Sequence, residues 1–279
     1  MPALDPAALA AWVGRTESRT ERISERIAQL LAATLDRKVA PAVGAALPPL
    51  WHWTHFVADA RTSEIGPDGH PKRGGFLPPV PLARRMWAGG RLTFEHPLFV
   101  GEKATRRSTI GDVAVKSGRS GTLVFVKVVH EIEGESGHAL TEEQDIVYRG
   151  QASGPSPMPP AAPEGAKWSD QIKPDSVLLF RYSALTFNSH RIHYDHPYVT
   201  EAEGYAGLVV HGPLTATLLA ESLGRRTSRM LKSFAFRGVS PLIATASFTL
   251  NGRIEGDRAE LWAANAEGRL AMSAEAVLA

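Results

Sequence analysis

The segment PLTATLLAESLG, residues 213–224, constrains the fold more than any other part of the sequence. It is long enough for about three turns of helix, and Glu221 is its only charged residue. A helix that is apolar on every side is stable in water only when other elements enclose it. Strand-like runs follow it to the end of the chain, so the sequence predicts a sheet wrapped around this helix and an α+β fold.

Strand-like runs separated by Gly or Gly-Ser turns occur in both halves of the chain and indicate antiparallel meanders. The runs are RLTFEHPLFVG, ATRRSTIGDVAVKSG, GTLVFVKVVHEIEG and ALTEEQDIVYRG in residues 91–150, and MLKSFAFRGV, LIATASFTLNG, AELWAANAEG and RLAMSAEAVLA in residues 230–279. Antiparallel strands around one long helix are typical of a hot-dog fold. Two copies would form a double hot-dog of two sheets, each around a central helix. In the first half only VPLARRMWAG, residues 80–89, is a candidate central helix, so the N-terminal copy is predicted to be degenerate.

Changes in residue pattern predict how the chain is organised. Residues 1–36 are predicted as helices, and residues 41–90 as an irregular stretch rich in Pro and Gly, which is often functional at this length. The run SVLLFRYSAL, residues 176–185, is predicted as a strand, and Glu142 is predicted on the exposed face of one. Residues 151–166 hold five prolines and are predicted as a linker. It divides the chain into a first half, 1–150, and a second half, 167–279.

Composition excludes several classes of function. With no cysteine, the chain has no disulfide framework, no thiol catalysis and no Cys-ligated metal. Lys and Arg number 31 against 29 Asp and Glu, and this balance argues against nucleic-acid binding through bulk charge. No apolar run reaches the ~18 residues of a membrane span, and the first residues lack the basic region of a secretory signal. We therefore expect a cytoplasmic protein with no membrane contact.

The densest group of functional side chains is NSHRIHYDH, residues 188–196. One interpretation is a solvated polar loop without special function. A second is a metal site at His190, His193 and His196 beside Asp195, since imidazole and carboxylate suit zinc or iron. The third is general acid–base catalysis, because a neutral histidine with a pKa near its ordinary value of ~6.5 accepts a proton at neutral pH. The third interpretation is preferred, and no metal is predicted.

The segment FRYSALTFNSHRIHYDHPYVTEAEGYAGLVVHGPLTATLL resembles the hydratase motif of MaoC-like, R-specific enoyl-CoA hydratases and hydroxyacyl-thioester dehydratases. In that family an Asp and a His five residues later flank the catalytic water, and these positions fall on Asn188 and His193. Together with HPKRGGFLPPVPLARRMWAGGRL and LTEEQDIVYR in the first half, the chain resembles a two-domain subgroup that includes mesaconyl-CoA and itaconyl-CoA hydratases. The resemblance implies a cofactor-independent hydro-lyase, in which the first half is a dehydratase-like domain that shapes the pocket.

Hydration of an enoyl thioester needs a base for water and a donor for the enolate oxygen. We expect His193 both to deprotonate water and to return the proton, with one ionisation near neutrality, because Asn188 has no proton to exchange and is left to orient the water. His190 and Asp195 are candidate auxiliary groups. Gly212 begins the apolar helix, where its N–H and the helix dipole suit an oxyanion.

We predict that the substrate is a short enoyl-CoA or 3-hydroxyacyl-CoA. The prediction includes branched and dicarboxylic acyl groups. Candidate substrate-binding residues are Phe76, Arg84, Arg85, Trp87, Arg181 and Arg191. Candidate partners for the CoA phosphates are Lys72, Arg73, Arg84, Arg85, Arg106 and Arg107. A hot-dog acyl-CoA thioesterase and a non-catalytic acyl-CoA binder remain alternatives, and further assembly into a homodimer is expected.

Overall fold

The computed structural model describes residues 4–118, 121–150 and 158–279. In the first half the elements are α1 (Pro6–Ala10), β1 (Thr16–Arg22), α2 (Glu25–Thr34), β2 (Arg84–Phe94), β3 (Lys103–Gly118), β4 (Gly121–Gly134) and β5 (Gly137–Arg149). In the second half they are β6 (Trp168–Ile172), α3 (Ser176–Leu185), α4 (Gly212–Gly224), β7 (Leu231–Gly238), β8 (Phe248–Glu255), β9 (Arg258–Ala264) and β10 (Leu270–Leu278). Each predicted strand run contains a strand, although RLTFEHPLFVG is strand only to Phe94 and LIATASFTLNG only from Phe248. Residues 151–157 of the predicted linker lie outside the described residues.

All ten strands form one antiparallel sheet in the order β1-β3-β4-β5-β2-β7-β10-β9-β8-β6. The expectation of two separate sheets is therefore corrected, because β2 pairs with β7 and joins the two halves. A Cβ on Gly89 would lie 2.5 Å from the carbonyl oxygen of Phe236, and one on Gly90 would lie 2.9 Å from that of Glu143. These two glycines on β2 therefore allow the backbones of β7 and β5 to approach closely enough to continue the sheet.

Helix α4 is enclosed as its apolar sequence predicts, and the strands of the second half pack against it. Its buried residues are Leu214, Thr215, Ala216, Thr217, Leu218, Leu219, Ser222 and Leu223. The hydroxyls of Thr215 and Thr217 donate to the carbonyl oxygens of His211 and Pro213, at 3.1 and 2.8 Å. Because these donors are satisfied within the helix, the two threonines lie in the core without an unpaired polar group.

The prediction of helix for residues 1–36 is correct for α1 and α2 and wrong between them. Residues 16–22 form the edge strand β1, whose alternate side chains are exposed. Thr20 pairs with Thr105 of β3, and their hydroxyls are 2.7 Å apart. The alternation of Thr and Ser with charged residues has the period of a strand with one solvated face, and this period decides the structure here.

Two further predictions of secondary structure are wrong. The run SVLLFRYSAL is helix α3, because Asp175 caps its first turn by accepting from the backbone N–H of Leu178 at 2.8 Å. Its buried residues, Leu179, Tyr182 and Ser183, lie on one helical face. Conversely, most of VPLARRMWAG is not a central helix, since residues 84–89 begin strand β2 between β5 and β7. Tertiary pairing with two neighbouring strands outweighs local helix propensity there.

Glu142 is buried rather than solvent-facing as predicted, with 1% of its surface exposed. Its carboxylate lies 3.1 Å from Nε2 of His52 and accepts from Nε1 of Trp53 at 2.9 Å. Burial alone raises the pKa of Glu142, but the hydrogen bond from His52 and the nearby imidazoles hold it at about 2. The first half therefore encloses an ionised carboxylate that its strand pattern does not reveal.

Candidate active site

His193 lies in a 3₁₀ turn between α3 and α4, with 7% of its surface exposed. Its Nδ1–H donates to the carbonyl oxygen of Val209 at 2.7 Å. This bond fixes the tautomer and leaves Nε2 with a free lone pair. Burial lowers the pKa of His193 to about 4, and the Val209 carbonyl opposes the change only in part. The expectation of a pKa near the ordinary value is thus corrected: the imidazole is neutral far into the acid range.

His211 and Gly212 bring the start of α4 to the same place. The His211 ring stacks on that of His193, with 3.6 Å between centroids, and its Nε2 is 2.8 Å from the hydroxyl of Ser183. Gly212 opens the helix, so its N–H is among the amides that have no carbonyl four residues earlier to bind. A Cβ on Gly212 would be 4.0 Å from the nearest atom, the carbonyl oxygen of Trp87. The helix start is therefore open to a ligand atom beside His193.

Asn188 and Asp195 are engaged in shaping the loop that carries His193. The side-chain oxygen of Asn188 accepts from the backbone N–H of His190 at 3.0 Å, which forms a tight turn. The carboxylate of Asp195 pairs with Arg191 at 2.7 Å and accepts from the N–H of Tyr198 at 3.1 Å. These two bonds, the backbone one first, lower the pKa of Asp195. Both side chains hold the loop, and the predicted roles of Asn188 in orienting the water and of Asp195 as an auxiliary group stay predictions.

A loop from the first half, residues 66–70, docks directly on this segment. The carbonyl oxygens of Pro67 and Asp68 accept from Nη1 and the backbone N–H of Arg191, both at 3.0 Å. The hydroxyl of Ser189 donates to the carbonyl oxygen of Gly69 at 2.5 Å. The loop thereby brings Asp68 and His70 to the site. Neither residue was predicted from the sequence, although both lie in the irregular stretch, residues 41–90, that is predicted to be functional.

Four histidines form a row through the site. The rings of His70 and His190 are 4.0 Å apart between centroids, those of His190 and His193 5.5 Å, and His211 stacks on the other side of His193. Burial, together with the neighbouring imidazoles, lowers the pKa of His190 to about 2. Burial likewise lowers the pKa of His70 and places that of His211 well below its ordinary value. The site at neutral pH therefore contains uncharged imidazoles.

The candidate cations for a substrate carboxylate differ in their partners. Arg84 pairs with Glu203 at 3.0 Å and Arg191 with Asp195 at 2.7 Å, and both bonds tie parts of the protein together. Arg181 is exposed on α3. Arg85 makes no ion pair among the described residues. Burial is the main cause of the lowered pKa values of His70 and His190, and the nearby positive charge of Arg85 lowers both pKa values further. The structure therefore brings only Arg85, of these four, to the histidine row without a paired carboxylate among the residues it describes.

The other predicted substrate residues lie mostly in structural roles. Trp87 packs edge-on against Trp53, at 4.9 Å between centroids, next to the start of α4, and Phe76 packs on the first-half core around Val80. Among the candidates for CoA phosphates, Arg73 donates to the carbonyl oxygens of Val80 and Ala83, Lys72 donates to that of Ser63, and Arg106 pairs with Glu17. Arg107 is exposed on β3.

A cavity of about 730 Å³ lies at the opposite end of α4. Leucines and prolines of residues 35–49 line it together with the residues that follow the helix, 224–231. None of the four histidines of the row contributes to its wall, so it is distinct from the candidate active site.

Replacing Gly69 with Ala is expected to separate the two halves of the site. Gly69 has φ +88°, and a Cβ there would lie 1.8 Å from the carbonyl oxygen of Ser189, so the docked loop must move. A displacement of ~1 Å of a catalytic group lowers the reaction rate by up to ~100-fold, so we expect kcat/KM to fall at least ~10-fold. Gly14→Ala is the matched control, because Gly14 has φ +85° and open space around it. Equal activity of the two variants, at equal melting temperature, would contradict the docking.

Comparison with known proteins assigns the family. A family model, Hydroxyacyl-thioester dehydratase type 2, matches residues 50–244. A mesaconyl-C(4)-CoA hydratase of Chloroflexus aurantiacus is 48% identical over 268 residues, which are 95% of this chain and 95% of that protein. The chain belongs to the hydroxyacyl-thioester dehydratase type 2 family. It is a hydro-lyase of enoyl and 3-hydroxyacyl thioesters, as the resemblance predicted.

Solved structures confirm the type of fold. A MaoC-like dehydratase from Phytophthora capsici matches with a TM-score of 0.70 at 16% identity, over 99% of both chains. A Mycobacterium tuberculosis protein with a double hotdog fold matches with a TM-score of 0.60 at 12% identity, over 96% of both chains. The predicted α+β hot-dog architecture is thus confirmed in type. Among the described residues, every helix is too short or too polar to cross a bilayer, and no three His, Cys, Asp or Glu side chains are arranged to hold a metal ion.

Proposed function

We propose that this hydro-lyase acts on a short, branched, dicarboxylic enoyl-CoA of the mesaconyl-C4-CoA kind. In such a substrate the carbon that receives the hydroxyl carries a second carboxylate. The observation that carries the proposal is the position of Arg85, a cation without a paired carboxylate among the described residues, beside the histidine row. The relative at 48% identity is named for this hydration and supports the same substrate class.

In the proposed reaction, His193 is the catalytic base and Gly212 supplies the oxyanion donor. Nε2 of His193 takes a proton from water as the oxygen attacks the β carbon, and the electrons of the double bond move to the thioester oxygen. The N–H of Gly212 and the positive end of α4 stabilise that oxygen. His193 then returns the proton to the α carbon. The stacked ring of His211 keeps the His193 imidazole in one orientation.

Arg85 is proposed to bind the second carboxylate. It is directly paired across the sheet with Tyr148, so two hydrogen-bonded strands hold its backbone. A guanidinium binds a carboxylate with two parallel hydrogen bonds, which orients the substrate as well as binding it. The carboxylate would then lie toward the first half, and the thioester toward the start of α4.

The order of the strands supports a duplication. From the outer edges inward, β1-β3-β4-β5-β2 matches β6-β8-β9-β10-β7, and in each half a helix follows the edge strand. A second helix corresponding to α4 is lacking among the described residues of the first half. We infer a double hot-dog with a degenerate N-terminal copy, residues 1–150, a linker, 151–166, and a catalytic copy, 167–279. A cytoplasmic homodimer remains part of the proposal.

The test compares two substrates and two variants. The wild-type protein should hydrate mesaconyl-C4-CoA with a higher kcat/KM than it has for crotonyl-CoA. The rate is measured by the loss of ultraviolet absorbance of the conjugated thioester. Arg85→Gln should lower kcat/KM for mesaconyl-C4-CoA by about 10- to 100-fold, since a hydrogen bond to a charged group contributes ~1.5–3 kcal/mol. The same variant should have nearly wild-type kcat/KM for crotonyl-CoA, because this substrate lacks the second carboxylate. The control variant Arg181→Gln should have nearly wild-type kcat/KM for both substrates. An equal loss for both substrates would contradict the assignment of Arg85.

A further inference from the structure

Water that attacks the β carbon must be held by both of its hydrogens, because one hydrogen bond leaves it free to turn away. His193 accepts one hydrogen. Asn188 is predicted to orient the water, and one of the two lone pairs of its side-chain oxygen is already used by the backbone N–H of His190. The imidazoles around His193 are further candidates for the second acceptor.

Three other imidazoles lie in the row, and they differ in what holds their ring nitrogens. His211 is 1% exposed: its Nε2 is bonded to Ser183, and its Nδ1 is buried without a hydrogen-bond partner among the described residues, so neither nitrogen is open to the cleft. The described hydrogen bonds of His190 are to its backbone, so its tautomer is not fixed. His70 alone has a ring nitrogen bonded to a carboxylate: its Nδ1 lies 3.1 Å from Oδ2 of Asp68.

The Asp68 contact determines which nitrogen of His70 accepts. Burial alone would raise the pKa of Asp68, but the hydrogen bond and the charge interaction with His70 hold it well below its usual range, so the carboxylate is ionised. An ionised carboxylate accepts hydrogen bonds and cannot donate, so Nδ1 of His70 carries the proton and Nε2 the lone pair. Oδ1 of Asp68 also accepts from the backbone N–H of His70 at 3.0 Å, which fixes the pair as a unit. About 20% of the His70 side chain remains exposed.

We propose that His70, oriented by Asp68, is a further catalytic residue, which accepts the second hydrogen of the attacking water. This inference rests on the proposed function. As the C–O bond forms, the O–H bond that faces His193 breaks and its proton goes to Nε2 of His193. The other hydrogen stays covalently bound to the oxygen, hydrogen-bonded to His70, and becomes the hydrogen of the new hydroxyl group. His193 afterwards gives its proton to the α carbon, so no further reactant is needed. Asp68 is a positioning residue, and the loop 66–70 places part of the reaction centre in the first half.

The test uses His70→Ala and Asp68→Asn, with His190→Ala for comparison and His138→Ala as the control. His70→Ala should lower kcat about 10- to 100-fold with a small change in KM, and added imidazole should restore part of it. In Asp68→Asn the amide donates to Nδ1, so Nε2 becomes protonated and is unable to accept from water, as in other enzymes where this exchange gives the wrong tautomer. This variant should lose at least as much kcat, without rescue by imidazole. His138→Ala, outside the site, should retain full activity.

Ring nitrogen shifts in ¹⁵N NMR give a readout that a structural role would not move. The His70 signals should show Nδ1–H in the wild-type protein and Nε2–H in Asp68→Asn. The inference is overturned if His70→Ala retains more than a third of wild-type kcat, if His190→Ala loses activity while His70→Ala does not, or if the tautomer is unchanged in Asp68→Asn. If the wild-type protein hydrates only crotonyl-CoA, the substrate proposal fails and the His70 series is measured with that substrate.

Discussion

Replacing His193 with Gln is expected to lower kcat for hydration by about a thousandfold, within the ~10²–10⁴ range of general acid–base catalysis. Gln fills similar space and still accepts a hydrogen bond, but it has no basic nitrogen to take the proton of water. The substitution therefore removes proton transfer and leaves binding largely intact, so KM should change little. Initial rates with the preferred enoyl-CoA, at saturating and limiting concentration, separate the two effects.

The pH dependence of kcat/KM identifies His193 more specifically. Its pKa is lowered to about 4 by burial, so the neutral base is present throughout the range above that value. Wild-type kcat/KM should hold as the pH falls below the ordinary histidine value and decline only as it passes through about 4. Circular dichroism over the same range excludes unfolding as the cause. In His193→Gln this acid limb should disappear.

His196→Gln is the matched control, because His196 is exposed in the same loop. It should retain the activity and the pH profile of the wild-type protein. An acid limb near the ordinary histidine pKa, or more than a tenth of wild-type kcat in His193→Gln, would assign the base to another residue.

The sequence predicted the parts of the fold that depend on local pattern. The strands of both meanders and the buried helix α4 carry their period and their composition in consecutive residues, and both were confirmed. The runs 80–89 and 176–185 were assigned the wrong structure, because each is apolar over about ten residues, where helix and strand give similar patterns. The Asp175 cap decides the helix, and pairing with β5 and β7 decides strand β2.

From the sequence, site residues could be predicted only where they lie close together in the chain. The sequence predicted roles for His193 and Gly212 because a dense polar cluster precedes an apolar helix within one segment, and those roles stay predictions. It did not predict the contacts of this segment with the first half, since Asp68 and His70 reach the row only when the loop 66–70 docks on Ser189 and Arg191. No spacing in the sequence links residues about 120 positions apart. The same holds for Arg85: only the structure separates it from Arg84, because Arg84 pairs with Glu203 and Arg85 makes no ion pair within the part of the chain that is described.

Replacing Gly212 with Pro is expected to lower kcat by about 10²- to 10³-fold, the cost of deleting one oxyanion donor. Proline is tolerated at the first position of a helix, where the missing N–H has no carbonyl partner in any case. His211 already has φ −61° and ψ 133°, the extended conformation that a following proline requires. The change therefore removes one N–H, and it also adds a Cβ directly before Pro213, a contact that disfavours helical backbone at 212. Thermal melting measures that strain separately from the loss of the donor.

Gly212→Ala distinguishes loss of the N–H from loss of space. Its Cβ would lie 4.0 Å from the carbonyl oxygen of Trp87, an ordinary contact, and it keeps the amide. We expect Ala to affect KM more than kcat, because the methyl group stands where the thioester approaches, while Pro lowers kcat. Thermal melting of both variants checks that α4 is intact. If Ala and Pro lower kcat equally, the helix start serves the substrate by its shape alone, and the enolate oxygen is stabilised elsewhere.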